Sequence, residues 1–332
     1  MDTTVVIPNY NGEKYIVDCI NRVLEQIKDE TKIIVIDNNS NDNSVILIKD
    51  KFQGIKVIVN DKNMGFSFAV NQGIKLTKTK YVLLLNNDAF IMPKFISNIE
   101  KCIETDPYIF SVSSLMLNHR NSDIVDNAGD QLTLLGWAFK TGDGDSKFNY
   151  LHQRVVFSSC AGAALYRVST FEVIGYFDET FFAYLEDVDI GFRANIYGYK
   201  NIFCPTAEVL HIGSATSGGE KYSDFKVSIS ARNNVLLLYK NLPFSYLFVL
   251  FPAFLLGVVI KMLFFLKKGY VKSYLSGFFE GIRLLSKVDN RSIKKRELIH
   301  YHKIIKMMFL STVSYLRSFL NRKLQSMNKK EI

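Results

Sequence analysis

Four short apolar runs near the N-terminus each end in a cluster of Asn, Asp and Gly, and no other feature restricts the fold so tightly. Thr3–Ile7, Lys32–Ile36, Lys56–Val59 and Tyr81–Leu85 are rich in β-branched, aromatic and other apolar residues. Continuous apolar runs of this length read as strands buried on both faces, as in a parallel sheet. Helix-like spacing of apolar residues follows each run, so the pattern is a repeated βα unit. Right-handed crossovers then build an open sheet whose ligands bind beyond the carboxyl ends of its strands. Those ends carry Asn9-Tyr10-Asn11-Gly12, Asp37-Asn38-Asn39-Ser40, Asn60 to Gly65, and Asn86-Asn87-Asp88. Four polar clusters at one edge exceed what turns alone require. The expected fold class is α/β.

Beyond this unit the pattern loosens. Residues 106–158 read as loops and short strands, with Gly142-Asp143-Gly144-Asp145 among them. Order returns over 159–212: the small-residue run Cys160-Ala161-Gly162-Ala163-Ala164, a short helix near 169–175 and a helix near 186–198. Two short strands are expected around Asn201–Cys204 and Glu208–Ile212, and no solenoid or propeller period appears. A hydrophobic share of 48% against 22% charged residues, over 332 residues, excludes disorder and suffices for a core without staples. Cys19, Cys102, Cys160 and Cys204 lie 83, 58 and 44 residues apart, which is neither a zinc spacing nor a dense disulfide framework. A reducing compartment is expected. Met1 to Pro8 lacks a basic n-region and a long apolar run, so no secretory signal peptide is expected.

After Asn241 the composition changes, dividing a body (1–241) from a C-terminal region (242–332). Residues 261–332 hold 17 Lys/Arg against four Asp/Glu, whereas residues 1–260 hold 24 against 28. The formal charge of +9 is therefore carried by the tail. Phe244–Ile260 is 17 residues without a charge, interrupted by Pro252, and Met262–Leu266 continues it. Tyr270–Val288 and Ile304–Leu320 show amphipathic helical spacing. Such helices either pack on the body or lie in an anionic membrane surface, and the basic excess favours the membrane. A single span is the further alternative.

Several residues invite chemistry, each with a plainer reading beside it. Asp88 at a strand end suits a divalent cation, or merely an Asx turn before Pro93. Asp37 has the same ambiguity; there an acid could accept from a nucleobase or ribose. Glu186-Asp187-Val188-Asp189 opens a helix, where acids suit the dipole in any case. These acids follow an aromatic stretch, Tyr176 to Tyr184, suited to a sugar face, and an Asp beside apolar rings can serve as a general base. His211, at the end of a strand, is a candidate metal ligand or an ordinary hydrogen-bonding residue. Arg232 could clamp a phosphate, or bridge helices.

Taken in order, the motifs resemble glycosyltransferase family 2. Val5-Val6-Ile7-Pro8-Asn9-Tyr10-Asn11-Gly12 looks like the opening of that family, as does Ile34-Val35-Ile36-Asp37-Asn38-Asn39-Ser40-Asn41-Asp42. Asn63-Met64-Gly65-Phe66-Ser67-Phe68-Ala69-Val70-Asn71-Gln72-Gly73-Ile74 is similar to the donor-binding segment of its rhamnosyltransferase-like branch. Cys160-Ala161-Gly162-Ala163-Ala164, Gly175-Tyr176-Phe177-Asp178-Glu179, Glu186-Asp187-Val188-Asp189 and His211-Ile212-Gly213 match that branch in order. The resemblance spans roughly residues 3–240.

It implies a GT-A fold, a Rossmann-like, mostly parallel sheet flanked by helices, here with a C-terminal helical, membrane-associating extension. It further implies inverting transfer of one sugar from a nucleotide-diphosphate sugar, dTDP- or UDP-linked. Asp37 would hold the base, with Pro8, Asn9, Tyr10, Asn11, Asn38, Asn63, Gly65, Asn71 and Asn87 around the donor. Asp88 would bind a divalent cation (Mg2+ or Mn2+), with His211 beside it. Asp187 would be the general base with Glu186 next to it, and Trp137, Gly162 and Arg232 would contact acceptor or phosphate. The family's Asp-x-Asp motif is reduced here, because Asn86 holds its first position. The Gln-x-x-Arg-Trp motif of processive synthases is absent; the single tryptophan, Trp137, follows Leu134-Leu135-Gly136. L-rhamnose is the first donor sugar to consider, a UDP-hexose or UDP-N-acetylhexosamine the alternative. The acceptor would be a lipid-linked saccharide or a surface polysaccharide, at the cytoplasmic face of the cell membrane. A nucleic-acid-binding protein is the rival from another class, yet no RNP, zinc-finger or helix-turn-helix pattern appears, so no nucleic acid partner is expected. An inactive scaffold is disfavoured by Asp88 and Asp187, and a homodimer is left open.

Overall fold

The four apolar runs form the strands that their composition predicts: β1 (Thr3–Asn9), β2 (Ile33–Asp37), β3 (Lys56–Val59) and β4 (Tyr81–Leu85). They pair in parallel in the order β3-β2-β1-β4. The structure is a computed structural model that describes residues 1–213, 222–288 and 298–328. Period-two alternation sorts their side chains to two layers. Val5, Ile7, Leu83 and Leu85 pack against helices α1 (Ile16–Ile27) and α4 (Phe95–Glu104) on one face. Val6, Ile34, Ile36 and Leu84 meet α3 (Phe66–Leu76) and α5 (Val168–Ile174) on the other. The remaining link between β2 and β3 is α2 (Ser44–Lys51).

The second half of the sheet is mixed. Past β5 (Ala89–Ile91), the order continues from β4 through β11 (Ala163–Arg167) and β6 (Ile109–Asn118) to β12 (Lys200–His211) and β10 (Arg154–Val156). β11 runs antiparallel to both β4 and β6, whereas β12 is parallel to β6. Two expectations are corrected here. Residues 106–158 contain a ten-residue buried strand, β6, together with β7 (Asn121–Asn127) and the hairpin β8 (Asp130–Leu132) and β9 (Ala138–Lys140). Serines interrupt the apolar run of β6, but Ser111 bonds Asn201 and Ser159, and Ser114 donates to the Ala163 carbonyl, so all are satisfied in the core. The two strands expected over 201–212 are one twelve-residue strand, β12, with a register shift between Phe203 and Glu208 around Pro205.

A third correction concerns the cysteines. Cys102 on α4 and Cys204 on β12 form a disulfide, with Cα atoms 6.4 Å apart and 102 residues between them. Spacing alone cannot show that α4 packs across β12. Cys19 and Cys160 are free.

The C-terminal region is helical, as its spacing predicts: α6 (Glu186–Ile196) and α7 (Asp224–Asn241) lead into α8 (Phe244–Lys268), α9 (Val271–Leu284) and α10 (Leu298–Asn328). These helices are built directly on the body. Gly277 and Gly281 of α9 lie against the backbone of α7 at Ser228 and Arg232, so closely that a Cβ on either would overlap it. Phe192 and Ile196 of α6 share a cluster with Leu236 of α7, Phe254 of α8, and Tyr301, Ile304 and Met308 of α10. α8 is 25 residues long, about 37 Å, and continues through Pro252. Most of its apolar surface is uncovered: Phe248, Val249, Phe251, Leu255, Leu256 and Leu263 are exposed.

Candidate active site

The sheet edge that the sequence singles out is a connected floor of side chains. Asn9, at the end of β1, donates to Asp37 Oδ1 at 2.7 Å and to Ser44 Oγ at 2.9 Å, and accepts from Asn87 Nδ2 at 2.8 Å. Asp37 also accepts from the Ser40 amide (2.9 Å) and hydroxyl (2.6 Å). Gly12 follows because any Cβ there would overlap Asn9 and Asn87. Asn11 adopts φ 52°, donates its amide to Ser40 and accepts from the Asn41 amide. Asn38 donates to the Gly65 carbonyl at 3.0 Å, and Asn63 Oδ1 caps the Gly65 amide. Gly65 has φ +87° and lies so close to the Phe182 carbonyl that no side chain fits. Asn9, Asn11, Asp37, Asn38, Asn63, Gly65 and Asn87 are thus brought together at one edge, with Pro8 and Tyr10 in the same β1 turn.

Asp88 and His211 meet across the next strands. β5 pairs antiparallel with β12 in the register His211–Ala89, which sets His211 beside Asp88. His211 Nε2 is 3.4 Å from Asp88 Oδ1, and His211 Nδ1 is 2.7 Å from Asp126 Oδ2. Asp126 in turn holds Lys140 at 2.8 Å. Burial alone would depress the imidazole, but the hydrogen bonds to Asp126 and Asp88 outweigh it and raise His211 to about 9. Burial opposes ionisation of Asp126 too, yet His211 and Lys140 hold it well below the usual carboxylate range. Two carboxylates here enclose one cationic position.

The three acids at the start of α6 have three different environments. Asp189 is fully buried between Arg193 (2.9 Å) and Lys240 (3.1 Å) and also accepts from Asn241, and it is lowered to about 2 despite its burial. It is a structural anchor. Glu186 is buried, its Oε2 has no partner among the described residues, and burial followed by the charge of Asp187 pushes it well up. Its charged form is disfavoured in this setting. Asp187 faces the small-residue segment: its carboxylate accepts from the Val188 amide at 2.8 Å and the Ala161 amide at 3.4 Å. Burial raises it, and those amides moderate the rise. Of the three, Asp187 is the one suited to accept a proton.

The helix start is reached through strained backbone. Phe182, Tyr184 and Leu185 all have φ between 61° and 67°. Asn233 of α7 holds the turn, donating to the carbonyls of Phe181, Ala183 and Tyr184 at 2.7 to 2.8 Å. Arg232 adds bonds to the carbonyls of Thr180 and Phe181, and meets Asn233 Oδ1 and Glu280.

Four sequence-predicted residues each engage the protein's own backbone. Arg232 uses its guanidinium on that turn. Trp137 lies at the β8–β9 tip, buried against α8, with its Nε1 3.3 Å from the Gly257 carbonyl. Asn71 is buried on α3 and bonds the backbone of Phe177 in both directions. Gly162 accepts from the Asn86 amide at 2.8 Å and allows Asn86 to pack against it. Sequence reasoning missed Asp126, Asp130 and Lys140, which the hairpin region carries into the site. The Asp126-Asn127-Ala128-Gly129-Asp130 turn was the available signal: Asn127 caps Gly129 (φ +94°) and donates to Asp130.

A mixed sheet with a βα-repeat half, a polar edge and a single strand-end acid is the GT-A architecture. The sequence profile described as Glycosyl transferase family 2 matches residues 4–175, and the chain belongs to that family. Glycosyltransferase GlyG of Streptococcus pneumoniae is 27% identical over 106 residues, 30% of this chain and 35% of that one. The chain thus spans about a third of this relative's length. A hexosyltransferase of low-salt glycan biosynthesis from Haloferax volcanii is 24% identical over 85% of this chain and 91% of its own. An N-acetylglucosaminyl-diphospho-decaprenol L-rhamnosyltransferase of Mycobacterium tuberculosis is 42% identical, but over only 18% of this chain and 19% of its own. Among solved structures, a mannosyltransferase from Pyrobaculum calidifontis in complex with GDP-Man and Mn2+ covers 97% of this chain and 87% of its own at TM-score 0.53 and 14% identity. GalNAc-T7 with UDP, GalNAc and Mn2+ covers 71% and 47% at TM-score 0.58 and 17% identity.

Proposed function

We propose that this chain is an inverting glycosyltransferase that moves one sugar from a nucleotide-diphosphate sugar to a lipid-linked or surface saccharide. The observation that supports the reading is that one small-residue segment borders both acids: the Ala161 amide bonds Asp187, and the carbonyl of the next residue, Gly162, accepts from Asn86, two residues before Asp88. Asp37, Asn9 and Asn38 form the floor on which the nucleoside sits, and Asp37 supplies the acceptor atoms for base or ribose. Asp187 takes the proton of the acceptor hydroxyl as that oxygen attacks the anomeric carbon in line with the departing diphosphate. Glu186, neutral, adds no second charge beside it.

The donor set of Asp88 and His211 fits a divalent cation such as Mg2+ or Mn2+, because a carboxylate and an imidazole nitrogen converge while Asp126 fixes the other ring nitrogen. When bound, such an ion supplies positive charge against the diphosphate leaving group. L-rhamnose is the donor sugar to test first, on the strength of the motif order and the short mycobacterial match; the long Haloferax match makes a UDP-hexose the second reading. Purified full-length protein is offered dTDP-rhamnose, UDP-glucose, UDP-galactose and UDP-N-acetylglucosamine, and donor consumption is measured with and without chelator. Turnover of one donor, lost in chelator, is expected; no turnover of any nucleotide sugar with a saccharide acceptor overturns the reading.

We infer from the exposed apolar face of α8 and the basic residues of 261–332 that the enzyme is a peripheral protein of the cytoplasmic face of an anionic membrane. A basic residue near such a surface contributes ~1 kcal/mol, screened by salt. Membranes washed at low ionic strength should retain the protein, and high salt or alkaline carbonate should release much of it. Retention through both washes means that α8 spans; a soluble protein at low salt removes the membrane from the account.

A further inference from the structure

Asp130 is a second carboxyl buried beside Asp187, and the transfer reaction described above gives it no task. It opens β8, and its backbone is fixed by the Ser158 carbonyl at 2.9 Å and the Phe157 amide at 3.0 Å. Carboxylate oxygens of Asp130 and Asp187 and the Cys160 sulfur all lie within 4.8 Å of one another. Asp130 accepts one hydrogen bond, from Asn127 Nδ2 at 2.8 Å. The groups facing it are Asp126 and Asn127 from β7, Lys140 from β9, Cys160 and Tyr166 around β11, and Glu186 and Asp187 from α6. The one cation among them, Lys140, is bonded to Asp126. Asp130 is buried and Asp187 half-buried, and with no counterion bonded to either among the described residues, ionisation of one opposes ionisation of the other.

We propose that Asp130 and Asp187 hold a single proton between them in the working enzyme, Asp130 carrying it and Asp187 bearing the charge. Asp130 is then a positioning residue that fixes the charge state of the base. The inference rests on Asp187 being that base. The division of roles follows from the bonds: Asp187 sits in the first turn of α6 and accepts two backbone amides, which favour its anion. Asp130 has one side-chain amide, and burial, then the charge of Asp187, push it up to about 8. Proton accounting is simple. The acceptor hydroxyl gives its proton to Asp187, Asp130 keeps its own throughout, and Asp187 returns its proton to water after product leaves.

The test is an infrared titration of full-length wild type, D130N and D187N, read at the carbonyl band of protonated carboxyl groups. Wild type should lose one such band with a midpoint near pH 8, and D130N should lack that transition. In D187N the transition should remain but move down by about one pH unit or more, since the neighbouring charge is gone. A wild type without the transition, a D130N that retains it, or a D187N midpoint equal to that of wild type each overturns the proposal. If D130N does not fold, the wild-type and D187N titrations decide alone. Full activity in D187N would remove the base assignment, while the infrared result would still stand or fall by itself.

Discussion

On one side of the cleft, Asp88 and Asp126 flank His211, and Lys140 closes on Asp126; each carboxylate there faces a cation or a group that becomes one. On the other side, Asp130, Glu186 and Asp187 lie together, and the hydrogen bonds given to Asp130 and Asp187 come from amides. The residue types are nearly the same, and the strands and hairpin that carry them are neighbours. The difference lies in what is bonded to them, and it divides the acids into permanent charges and proton holders. A third case stands within the same helix as the second: Asp189, two residues beyond Asp187, is compensated by Arg193 and Lys240 and behaves like the first group. Position along the chain does not sort these carboxylates. Partners do.

Mutations can break this division. The largest effect should come from D187N, which removes the proton acceptor: kcat should fall ~10²–10⁴-fold with nucleotide-diphosphate affinity nearly kept. Calorimetric binding beside steady-state rates checks it, and more than about a tenth of wild-type kcat would move the base elsewhere. In wild type the acid limb of kcat/KM should lie above the usual carboxylate range, because Asp187 is raised and must be ionised to work. Next comes Asp189→Ala, which leaves Arg193 buried without its anion, takes from Lys240 one of its two carboxylates (Asp178 remains), and should cost ~3–5 kcal/mol of stability, visible as a large drop in Tm. The sign with pH is fixed. Asp189 is lowered to about 2, so its contribution is complete above the unfolded value of about 3.9 and is lost as pH falls through about 2.

D126N tests the compensated side. Freed of its carboxylate partner, His211 loses its fixed ring orientation, and Mn2+ affinity should weaken ~10–100-fold in a metal titration. An unchanged affinity would show that Asp88 and His211 do not act as a metal pair. Smallest of all should be E186Q. A glutamic acid whose charged form burial disfavours is replaced by a neutral isostere, so kcat should change by roughly a few-fold at most. A loss equal to that of D187N would mean that the two acids have been assigned the wrong way round.

Much of this was legible in the chain before any coordinates. The runs that became β1, β2 and β4 are mostly apolar, as a parallel strand buried on both faces must be, whereas β3 lies at the sheet edge with Lys56 and Val59 exposed. Asp37, Asp88, Asp187 and His211 stand at element ends, where turn chemistry and catalysis both leave polar residues. β6 was hidden because Ser111, Ser113 and Ser114 break its pattern, and only tertiary hydrogen bonds make them acceptable in a core. Asp126, Asp130 and Lys140 were hidden for another reason: a Gly- and Asp-rich turn looks the same whether it faces water or a cleft. Arg232 and Asn71 are polar residues whose partners are backbone carbonyls and amides more than fifty residues distant, and no local pattern reports that.

The β8–β9 hairpin begins at Asp130 and ends its reach between helices α8 and α10. Leu134 donates its amide to Thr312 of α10, Gln131 accepts from Ser311, and the Leu135 carbonyl and the Trp137 ring rest on Gly257 of α8. One short rigid piece thus serves as lining on the catalytic side and as wedge on the other. Cutting the chain at Asn241 would therefore do more than set a soluble catalyst free. It would strip the backing from the wedge and lay Leu134 and Trp137 bare, and the acid at the root of the hairpin would be left on an unsupported arm. The C-terminal helices thus brace the hairpin on which Asp130 stands.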